Sequence, residues 1–208
     1  MKMDESHRAE TGAFYTPKPW AYKAVECLLR HVPCLDGFTV YDPAAGEGSL
    51  LDALPEGTDC FGSTLESEDC GIMLRKGHAC QQFDFLHNNF RFLDDTVLSA
   101  SENGSLIVLT NPPYRKLQAG ECGLMRRVYP ECGTDATALF LLRIAEELHP
   151  VLTCSFTKLD IYQSPNMERF RSRFGVFQRH LDGFICPSMA WPGLKGKFPI
   201  VFSVFASF

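Results

Sequence analysis

The sequence reads Phe38-Thr39-Val40-Tyr41-Asp42-Pro43-Ala44-Ala45-Gly46-Glu47-Gly48-Ser49-Leu50-Leu51 where an apolar strand breaks into a turn of small residues and then a helix. Gly46 and Gly48 let the backbone approach a bound molecule closely. The turn also follows the carboxyl end of a strand, where open α/β sheets bind their ligands. The third glycine of the dinucleotide fingerprint is missing, so a purely structural strand-to-helix turn stays open as the alternative.

A second apolar run, Ser105 to Thr110, ends in Asn111-Pro112-Pro113-Tyr114. The two prolines fix their own backbone angles and restrict the residue before each of them. The Asn111 side-chain oxygen and the Pro112 carbonyl can therefore converge on one planar amino group, and the Tyr114 ring can cover the base that carries it. An ordinary strand-ending turn would use proline for the same backbone reasons.

Apolar segments and turn residues alternate along the whole chain. Strands are expected near 38–42, 59–65, 79–83, 105–110, 151–157, 181–186 and 199–206, and helices near 17–31, 48–53, 68–76, 134–148 and 165–174. This alternation predicts an α/β fold with a doubly wound sheet. The 208 residues, 45% of them hydrophobic, are enough for one buried core, so we expect a single domain over 1–208.

The composition indicates the cellular compartment in which the protein is expected. No apolar run approaches the ~20 residues of a membrane span, and the amino terminus lacks the apolar core of a signal peptide. We therefore expect a cytoplasmic protein with no membrane partner. The nine cysteines are scattered without Cys-x-x-Cys spacing, which predicts reduced, mostly buried thiols and no metal site.

Charge is distributed unevenly along the chain. Residues 1–110 hold 8 Lys/Arg and 17 Asp/Glu, a net charge of −9, whereas residues 111–208 hold 12 and 8, a net charge of +4. Arg115 and Lys116 directly follow the tetrapeptide, and Lys195 and Lys197 come near the carboxyl terminus. Solvated surface charge is the simplest explanation of such residues. Next to the Asn111 turn, however, they favour contacts with nucleic acid phosphates.

Three motifs in order resemble those of the S-adenosylmethionine-dependent N6-adenine DNA methyltransferases of the gamma arrangement. Gly12-Ala13-Phe14-Tyr15-Thr16-Pro17 looks like the amino-terminal cofactor motif, Asp42 to Gly48 like the methionine-binding loop, and Asn111 to Tyr114 like the catalytic tetrapeptide. The resemblance implies a Rossmann-like class I methyltransferase with a seven-stranded, mostly parallel sheet whose last strand is antiparallel. It also implies S-adenosylmethionine as cofactor and S-adenosylhomocysteine as product.

The resemblance also assigns roles to residues. Glu66, after the second strand, would accept hydrogen bonds from the ribose hydroxyls, and Asp84, after the third, from the adenine amino group of the cofactor. Trp191, with Phe198 as the second choice, would complete the clamp on a flipped target base. The full cofactor set is Tyr15, Thr16, Asp42, Ala44, Gly46, Gly48, Glu66, Asp84, Phe85 and Asn111. The catalytic set is Asn111, Pro112 and Tyr114, and the substrate set is Pro113, Arg115, Lys116, Trp191, Lys195, Lys197 and Phe198.

One departure affects substrate choice. Many enzymes of the gamma arrangement continue into a target-recognition domain, whereas this sequence stops at Phe208, directly after the last expected strand. We therefore expect sequence specificity to be low, to come from the loop Arg115–Thr134, or to come from a separate specificity subunit. DNA is the expected substrate. The alternatives are adenine in RNA, a protein glutamine, and a binding-only role without catalysis.

Overall fold

The computed structural model describes residues 15–121, 123–191 and 198–208. The α-helices are α1 (Lys18–Leu29), α2 (Ser67–Arg75), α3 (Asp95–Glu102), α4 (Gly123–Val128), α5 (Ala136–Arg143), α6 (Asp160–Gln163) and α7 (Glu168–Phe177). The strands are β1 (Thr39–Asp42), β2 (Cys60–Thr64), β3 (Ala79–Gln82), β4 (Leu106–Thr110), β5 (Leu152–Lys158), β6 (Gln178–Cys186) and β7 (Ile200–Ser207). Within these ranges no helix combines the length and apolar character that crossing a membrane requires.

All seven strands form one sheet in the order β3-β2-β1-β4-β5-β7-β6. The pairs from β3 to β5 are parallel, and β7 runs antiparallel to both of its neighbours, β5 and β6. The expected mostly parallel sheet, with an antiparallel last strand inserted between its neighbours, is confirmed. β6 begins at Gln178, three residues before the expected start.

The central strands are apolar because helices cover both of their faces. All five residues of β4 are buried. Leu106 and Val108 belong to the core cluster shared with α3, α5 and α7, whereas Ile107 and Leu109 belong to the cluster shared with α1. Successive side chains of a strand point to opposite faces, so the continuous apolar run supplies two hydrophobic cores at once.

The chain changes direction across the sheet between β1 and β4. Successive strands step outward from β1 to β2 and β3, and then from β4 to β5 on the other side. At such a switch point a crevice opens outside the carboxyl ends of the strands. Asp42 is the last residue of β1 and Asn111 directly follows β4, so the two glycine- and proline-rich turns of the sequence meet at this crevice.

The local structure departs from the sequence-based picture at three places. The helix expected at 48–53 is a single 3-10 turn at Leu51–Ala53, because Gly48 takes a φ of +84° that a regular helix does not allow. Helix α3 was not expected; it is short, and its N-cap Asp94 accepts a hydrogen bond from the Thr96 amide at 2.9 Å. The segment 115–134, which is long for a structureless loop, contains α4 and two 3-10 turns, Ala119–Glu121 and Pro130–Cys132.

Candidate functional site

A cleft of about 190 Å³ opens at the carboxyl ends of the first four strands. Asp42 and Thr64, the last residues of β1 and β2, line it together with Phe83 after β3 and Asn111 after β4. Parallel strands bring these positions to the same edge of the sheet although they are far apart in sequence. The cleft therefore lies where the topology predicts a ligand.

Hydrogen bonds to Asp42 join the end of β4 to the turn that follows β1. Its Oδ1 accepts a hydrogen bond from the Thr110 hydroxyl at 2.7 Å and one from the Ala44 amide at 3.0 Å. The side chain is only 1% exposed. Burial raises the pKa of this carboxyl to about 7, although the two hydrogen bonds act in the opposite direction. The end of β4 is thus fixed to the turn after β1 by a group that is costly to ionise.

We expect Asp42→Asn to stabilise the fold at neutral pH and to have little effect near pH 4. In the folded protein the pKa is raised from 3.8 to about 7, so the folded state binds more protons than the unfolded chain between these values. The contribution of this carboxyl to stability is therefore complete below pH ~4 and is lost as the pH rises to ~7. The asparagine oxygen can still accept from Thr110 and Ala44. Urea denaturation at both pH values measures the difference.

The exposed aspartate Asp36 provides a matched control for the loss of one carboxylate. Asp36→Asn should show no stabilisation that appears only at neutral pH. An Asp42→Asn variant that is equally stabilised, or equally destabilised, at both pH values would contradict the assignment of the pH dependence to this carboxyl.

The turn after β1 and the residues at its side form a closely packed wall. Gly46 has a φ of +52°, and a Cβ at this position would lie 2.8 Å from the ring of Tyr15. The Tyr15 hydroxyl donates to Oδ1 of Asp69 at 3.0 Å. Burial raises the pKa of Asp69, the hydrogen bond from Tyr15 opposes this, and the nearby carboxylates of Glu47 and Glu66 add to it. This end of the cleft is therefore acidic and partly closed by an aromatic ring.

The side of the cleft formed by β2 and β3 carries further carboxylates and aromatic rings. Glu66 is the N-cap residue of α2 and lines the cleft. Asp84 also lines it, but its Oδ1 accepts from the amides of Leu86 and His87 at 3.0 and 3.1 Å. Its carboxylate therefore stabilises the local turn as well as facing the cleft. Phe85 stacks on Phe140 with ring centroids 4.8 Å apart.

A network of charged groups connects the segment after the tetrapeptide to the β3 side of the cleft. Arg115 donates two hydrogen bonds to the carboxylate of Glu121, at 2.9 and 2.8 Å, and this pairing lowers the pKa of Glu121 to about 2. His87 contacts the Glu121 carbonyl at 3.0 Å and Oδ2 of Asp84 at 2.9 Å. Burial opposes the charged form of His87, but these two acceptors outweigh it and raise its pKa.

The tetrapeptide is held by the first turn of α5. Asn111 is 9% exposed and lines the cleft. The Thr137 hydroxyl donates to the Pro113 carbonyl at 3.0 Å, and the Ala136 amide to the Arg115 carbonyl at 3.1 Å. These two hydrogen bonds join the proline turn to the amino-terminal end of α5, so each stabilises the position of the other. Asn111 lines the cleft together with residues of the turn that follows β1.

The three aromatic residues expected to clamp a base lie together on one side of the sheet, away from the cleft lining. Trp191 is 2% exposed and packs edge-on against Phe156, with centroids 5.1 Å apart. Tyr114 and Phe198 are partly buried against the same core cluster. Burial raises the pKa of Tyr114 well above its ordinary value. The expectation that Trp191 presents an open stacking face needs correction, because its ring fills the core instead.

The structure brings most of the expected site residues to the cleft. Those that line it are Tyr15, Thr16, Asp42, Ala44, Gly46, Glu66, Asp84, Phe85, Asn111, Pro113 and Arg115. Those that do not are Gly48, Pro112, Tyr114, Lys116, Trp191 and Phe198. Gly48 packs instead on Met73, which a Cβ would approach to 3.0 Å. Lys195 and Lys197, and Gly12 to Phe14 of the amino-terminal motif, lie outside the described residues.

Sequence reasoning missed three charged residues of the cleft, namely Asp69, His87 and Glu121. Asp69 lies one helical turn after Glu66, a spacing that places two side chains on the same helix face, and this signal was available. His87 and Glu121 are 34 residues apart in sequence, and no local pattern indicates their contact. In the part of the chain that the structure describes, no three His, Cys, Asp or Glu side chains are grouped to hold a metal ion.

Comparison with known proteins gives structural neighbours only. No family model matches the sequence, and no curated protein sequence does. A Listeria monocytogenes protein assigned as a class I S-adenosylmethionine-dependent methyltransferase superposes with a TM-score of 0.72 at 13% identity, covering 94% of this chain and 61% of that one. The methyltransferase subunit of a type I restriction-modification system from Streptococcus thermophilus gives 0.64 at 19% identity, covering 94% and 45%.

A third neighbour is of similar length. Magnesium protoporphyrin IX methyltransferase from Synechocystis PCC 6803, crystallised with bound S-adenosylmethionine, superposes with a TM-score of 0.57 at 11% identity and covers all of this chain and 86% of that one. By contrast, this chain covers less than two thirds of the length of the first two neighbours. Identities this low establish the architecture alone. The chain has the Rossmann-like fold of the class I methyltransferases.

Proposed function

We propose that this protein binds S-adenosylmethionine in the cleft and transfers its methyl group to the exocyclic amino group of adenine in DNA, giving N6-methyladenine. One observation carries the proposal. The Asn111 turn follows β4 at the switch point of the sheet and lines the same cleft as the glycine turn after β1. A group that can position an amine therefore lies beside the pocket expected to hold the methyl donor.

The cleft has the chemistry that this cofactor needs. Its sulfonium and ammonium groups are cationic and its ribose offers two hydroxyls, and the carboxylates that line the cleft suit both. These carboxylates are Asp42, Glu66, Asp69, Asp84 and Glu121. Gly46 has a positive φ and no side chain, so its backbone lines the cleft directly and packs closely against the Tyr15 ring. When bound, S-adenosylmethionine supplies an electrophilic methyl group.

Individual residues can be assigned to parts of the cofactor. Glu66, at the N-cap of α2, would accept hydrogen bonds from the ribose hydroxyls. Asp84 would use the acceptor capacity left after its bonds to Leu86 and His87 for the adenine amino group. The ring of Phe85 would pack on the adenine. Tyr15, held by Asp69, would cover the methionine end.

The chain's own residues would act on the amine through alignment and electrostatics. An aromatic amine is a poor nucleophile because its lone pair is delocalised into the ring. The Asn111 side-chain oxygen and the Pro112 carbonyl would accept its two hydrogens as positive charge develops on the nitrogen, which directs the lone pair toward the cofactor side of the cleft. Preorganised acceptors of this kind favour the transition state over the ground state. No strong base is required.

Nucleic acid is the proposed substrate, and a separate specificity subunit is a proposed partner. In a duplex the target adenine has to leave the stack before its amino group can reach Asn111. Pro113 lines the cleft, and Lys116 is exposed beside it. Because Trp191 is buried, stacking on a flipped base falls to Tyr114 and Phe198 after local rearrangement. A methyltransferase subunit of a multisubunit restriction-modification system is among the structural neighbours, which supports DNA and a partner.

We expect Gly46→Ala to weaken binding of S-adenosylmethionine by at least about tenfold, or ~1.4 kcal/mol. The new Cβ would lie 2.8 Å from the Tyr15 ring, so Tyr15 has to move and its hydrogen bond to Asp69 is lost. The positive φ of 52° adds strain of its own. Isothermal titration calorimetry with the cofactor measures the effect.

Gly57→Ala is the matched control for backbone strain. Gly57 also has a positive φ, 82°, but a Cβ there meets nothing within 4 Å. Both variants should lose some stability, and only Gly46→Ala should lose cofactor affinity. If the two variants bind S-adenosylmethionine with equal affinity, Tyr15 is not part of the cofactor site.

The test of the function is methyl transfer from labelled S-adenosylmethionine to four substrates in parallel: duplex DNA, single-stranded DNA, structured RNA and a protein extract. We expect label in DNA, recovered as N6-methyladenine after digestion to nucleosides. Label only in RNA would move the substrate class to RNA, and label only in glutamine would move it to protein. Cofactor binding without transfer to any of the four would contradict catalysis by the chain alone and would mean either a missing partner subunit or a binding-only role.

A further inference from the structure

Two cysteines lie in direct contact beside the cleft. Cys70 is in α2 and Cys80 is in β3, and their Sγ atoms are 2.8 Å apart. Both side chains are partly exposed. Among the other described cysteines, Cys34 is exposed, and Cys60 has its Sγ 3.9 Å from Nδ1 of His78. The Cys70–Cys80 contact is therefore a specific arrangement of two solvent-accessible thiols.

The local fold places the two thiols face to face. Cys80 pairs across the sheet with Gly62 of β2, and Cys70 lies in the helix that connects β2 to β3 and packs on them. A disulfide has an S–S bond of about 2.05 Å. The two sulfur atoms therefore need to approach by less than about 1 Å to reach bonding distance. Such a movement is small for side chains that are only partly buried.

The helix and the strand that carry the pair each lead to a residue of the cleft lining. Cys70 directly follows Asp69, which lines the cleft and accepts the hydrogen bond from Tyr15. Cys80 precedes Asp84, another cleft residue, by four positions in the sequence. A covalent link between the two sulfurs would tie the helix that carries Asp69 to the strand that leads to Asp84.

We propose that Cys70 and Cys80 form a reversible dithiol–disulfide site that a hydroperoxide oxidises. In the first step the Cys70 thiolate attacks a peroxide oxygen and breaks the O–O bond. With hydrogen peroxide this gives a sulfenic acid and a hydroxide, which becomes water by taking up the proton that the Cys70 thiol released. In the second step the Cys80 sulfur attacks the Cys70 sulfur, forms the S–S bond and displaces a second water. Two electrons pass from sulfur to peroxide, and two thiols plus one hydrogen peroxide become one disulfide plus two waters.

The surroundings of Cys80 agree with the second of these roles. Burial, followed by the contact with Cys70 and the charge of Asp69, raises the pKa of Cys80. Its thiolate is therefore scarce at neutral pH, and the thiolate is the reactive form. In the contact between the two thiols the Cys80 thiol donates and the Cys70 sulfur accepts, so the first attack is assigned to Cys70. Thiol reductants would restore the pair by exchange.

The sequence allows the link to be mapped directly. The folded protein is treated with hydrogen peroxide, remaining thiols are alkylated, and the chain is digested with trypsin and a glutamate-specific protease without reduction. Cleavage after Glu68 and Arg75 isolates residues 69–75 with Cys70 as their single cysteine, and cleavage after Lys76 and Arg91 isolates residues 77–91 with Cys80. We expect these two peptides to be joined after oxidation and to separate on addition of dithiothreitol.

Two variants make the test specific. Cys70→Ser should abolish the joined peptide, whereas the neighbouring Cys60→Ser, which alters a thiol packed against the same small core cluster as Cys80, should leave it unchanged. The oxidised wild-type protein should also melt at a higher temperature than the reduced protein, because a closed loop restricts the unfolded chain. Recovery of both peptides in alkylated form at peroxide concentrations that oxidise the exposed Cys34, or linkage of Cys80 to Cys60, would overturn the proposal.

This inference does not depend on the proposed function. The mapping reads only the covalent state of the chain, so its outcome stays interpretable whether or not methyl transfer is observed.

Discussion

Asn111→Ala is expected to lower the rate of methyl transfer by about 10²–10³-fold, the range seen when one preorganised polar group that stabilises developing charge is removed. Alanine has no acceptor for the amine hydrogens, and the Pro112 carbonyl alone cannot orient the nitrogen. Asn111 directly follows the buried strand β4, whose last residue, Thr110, is hydrogen-bonded to Asp42. A smaller side chain at position 111 should therefore leave the backbone of the turn in place. The loss should therefore appear mainly in kcat.

Two further variants separate chemistry from folding. Asn111→Asp keeps an acceptor at the same position and should retain more activity than alanine. Asn166→Ala changes an exposed asparagine away from the cleft lining and should leave the rate unchanged. Single-turnover transfer measured at saturating cofactor gives the rates, and urea denaturation checks the fold. An Asn111→Ala variant as fast as wild type would exclude this side chain from the reaction.

Gly183→Ala is expected to cause the largest loss of stability, about 3 kcal/mol or more, since overpacking a tight site commonly costs 1–3 kcal/mol. Gly183 lies in β6 opposite Ser203 of β7, next to an irregularity between His180 and Asp182. A Cβ at Gly183 would clash with the backbone carbonyl oxygen of Phe202. Backbone atoms cannot move aside as a flexible side chain can, so the pairing of β6 with β7 has to be disrupted.

Gly175→Ala is the matched control in the same region. Gly175 is an exposed residue of α7, and a Cβ there meets nothing within 4 Å. Because glycine in a helix interior costs roughly 0.5–1 kcal/mol relative to alanine, this variant should be slightly more stable than wild type. Urea midpoints for the two variants should shift in opposite directions. A Gly183→Ala variant with a wild-type midpoint would mean that β6 does not approach β7 this closely.

The sequence predicted the sheet well because the signals for strands and turns are local. Continuous apolar runs such as Leu106–Thr110 are typical of strands buried on both faces, and glycine or proline directly after them marks the turns. The helix expected at 48–53 failed for a local reason as well. Gly48 was interpreted as making room for a ligand, but its positive φ also interrupts the helix, and its missing side chain makes room for Met73.

The positions of the candidate site residues followed from topology more than from individual motifs. Asp42 ends β1, whereas Glu66, Asp84 and Asn111 follow β2, β3 and β4. Parallel pairing brings all four strand ends to one cleft. Only the strand order is needed to place these residues, and the fold class supplies it. It gave no information on side-chain direction in loops. Trp191, expected to complete the clamp on a flipped base, packs with its ring on Phe156 in this structure.

By itself the sequence determined the α/β alternation, the two turns that meet at the switch point and the residues available there, because hydrophobic periodicity and turn chemistry act over a few residues. Only the tertiary structure decided the partners across long separations. Tyr15 reaches Asp69 over 54 residues, and His87 reaches Glu121 over 34. Such contacts depend on how helices pack on the sheet and on which side chains fill the core, and neither leaves a periodic trace in a single chain.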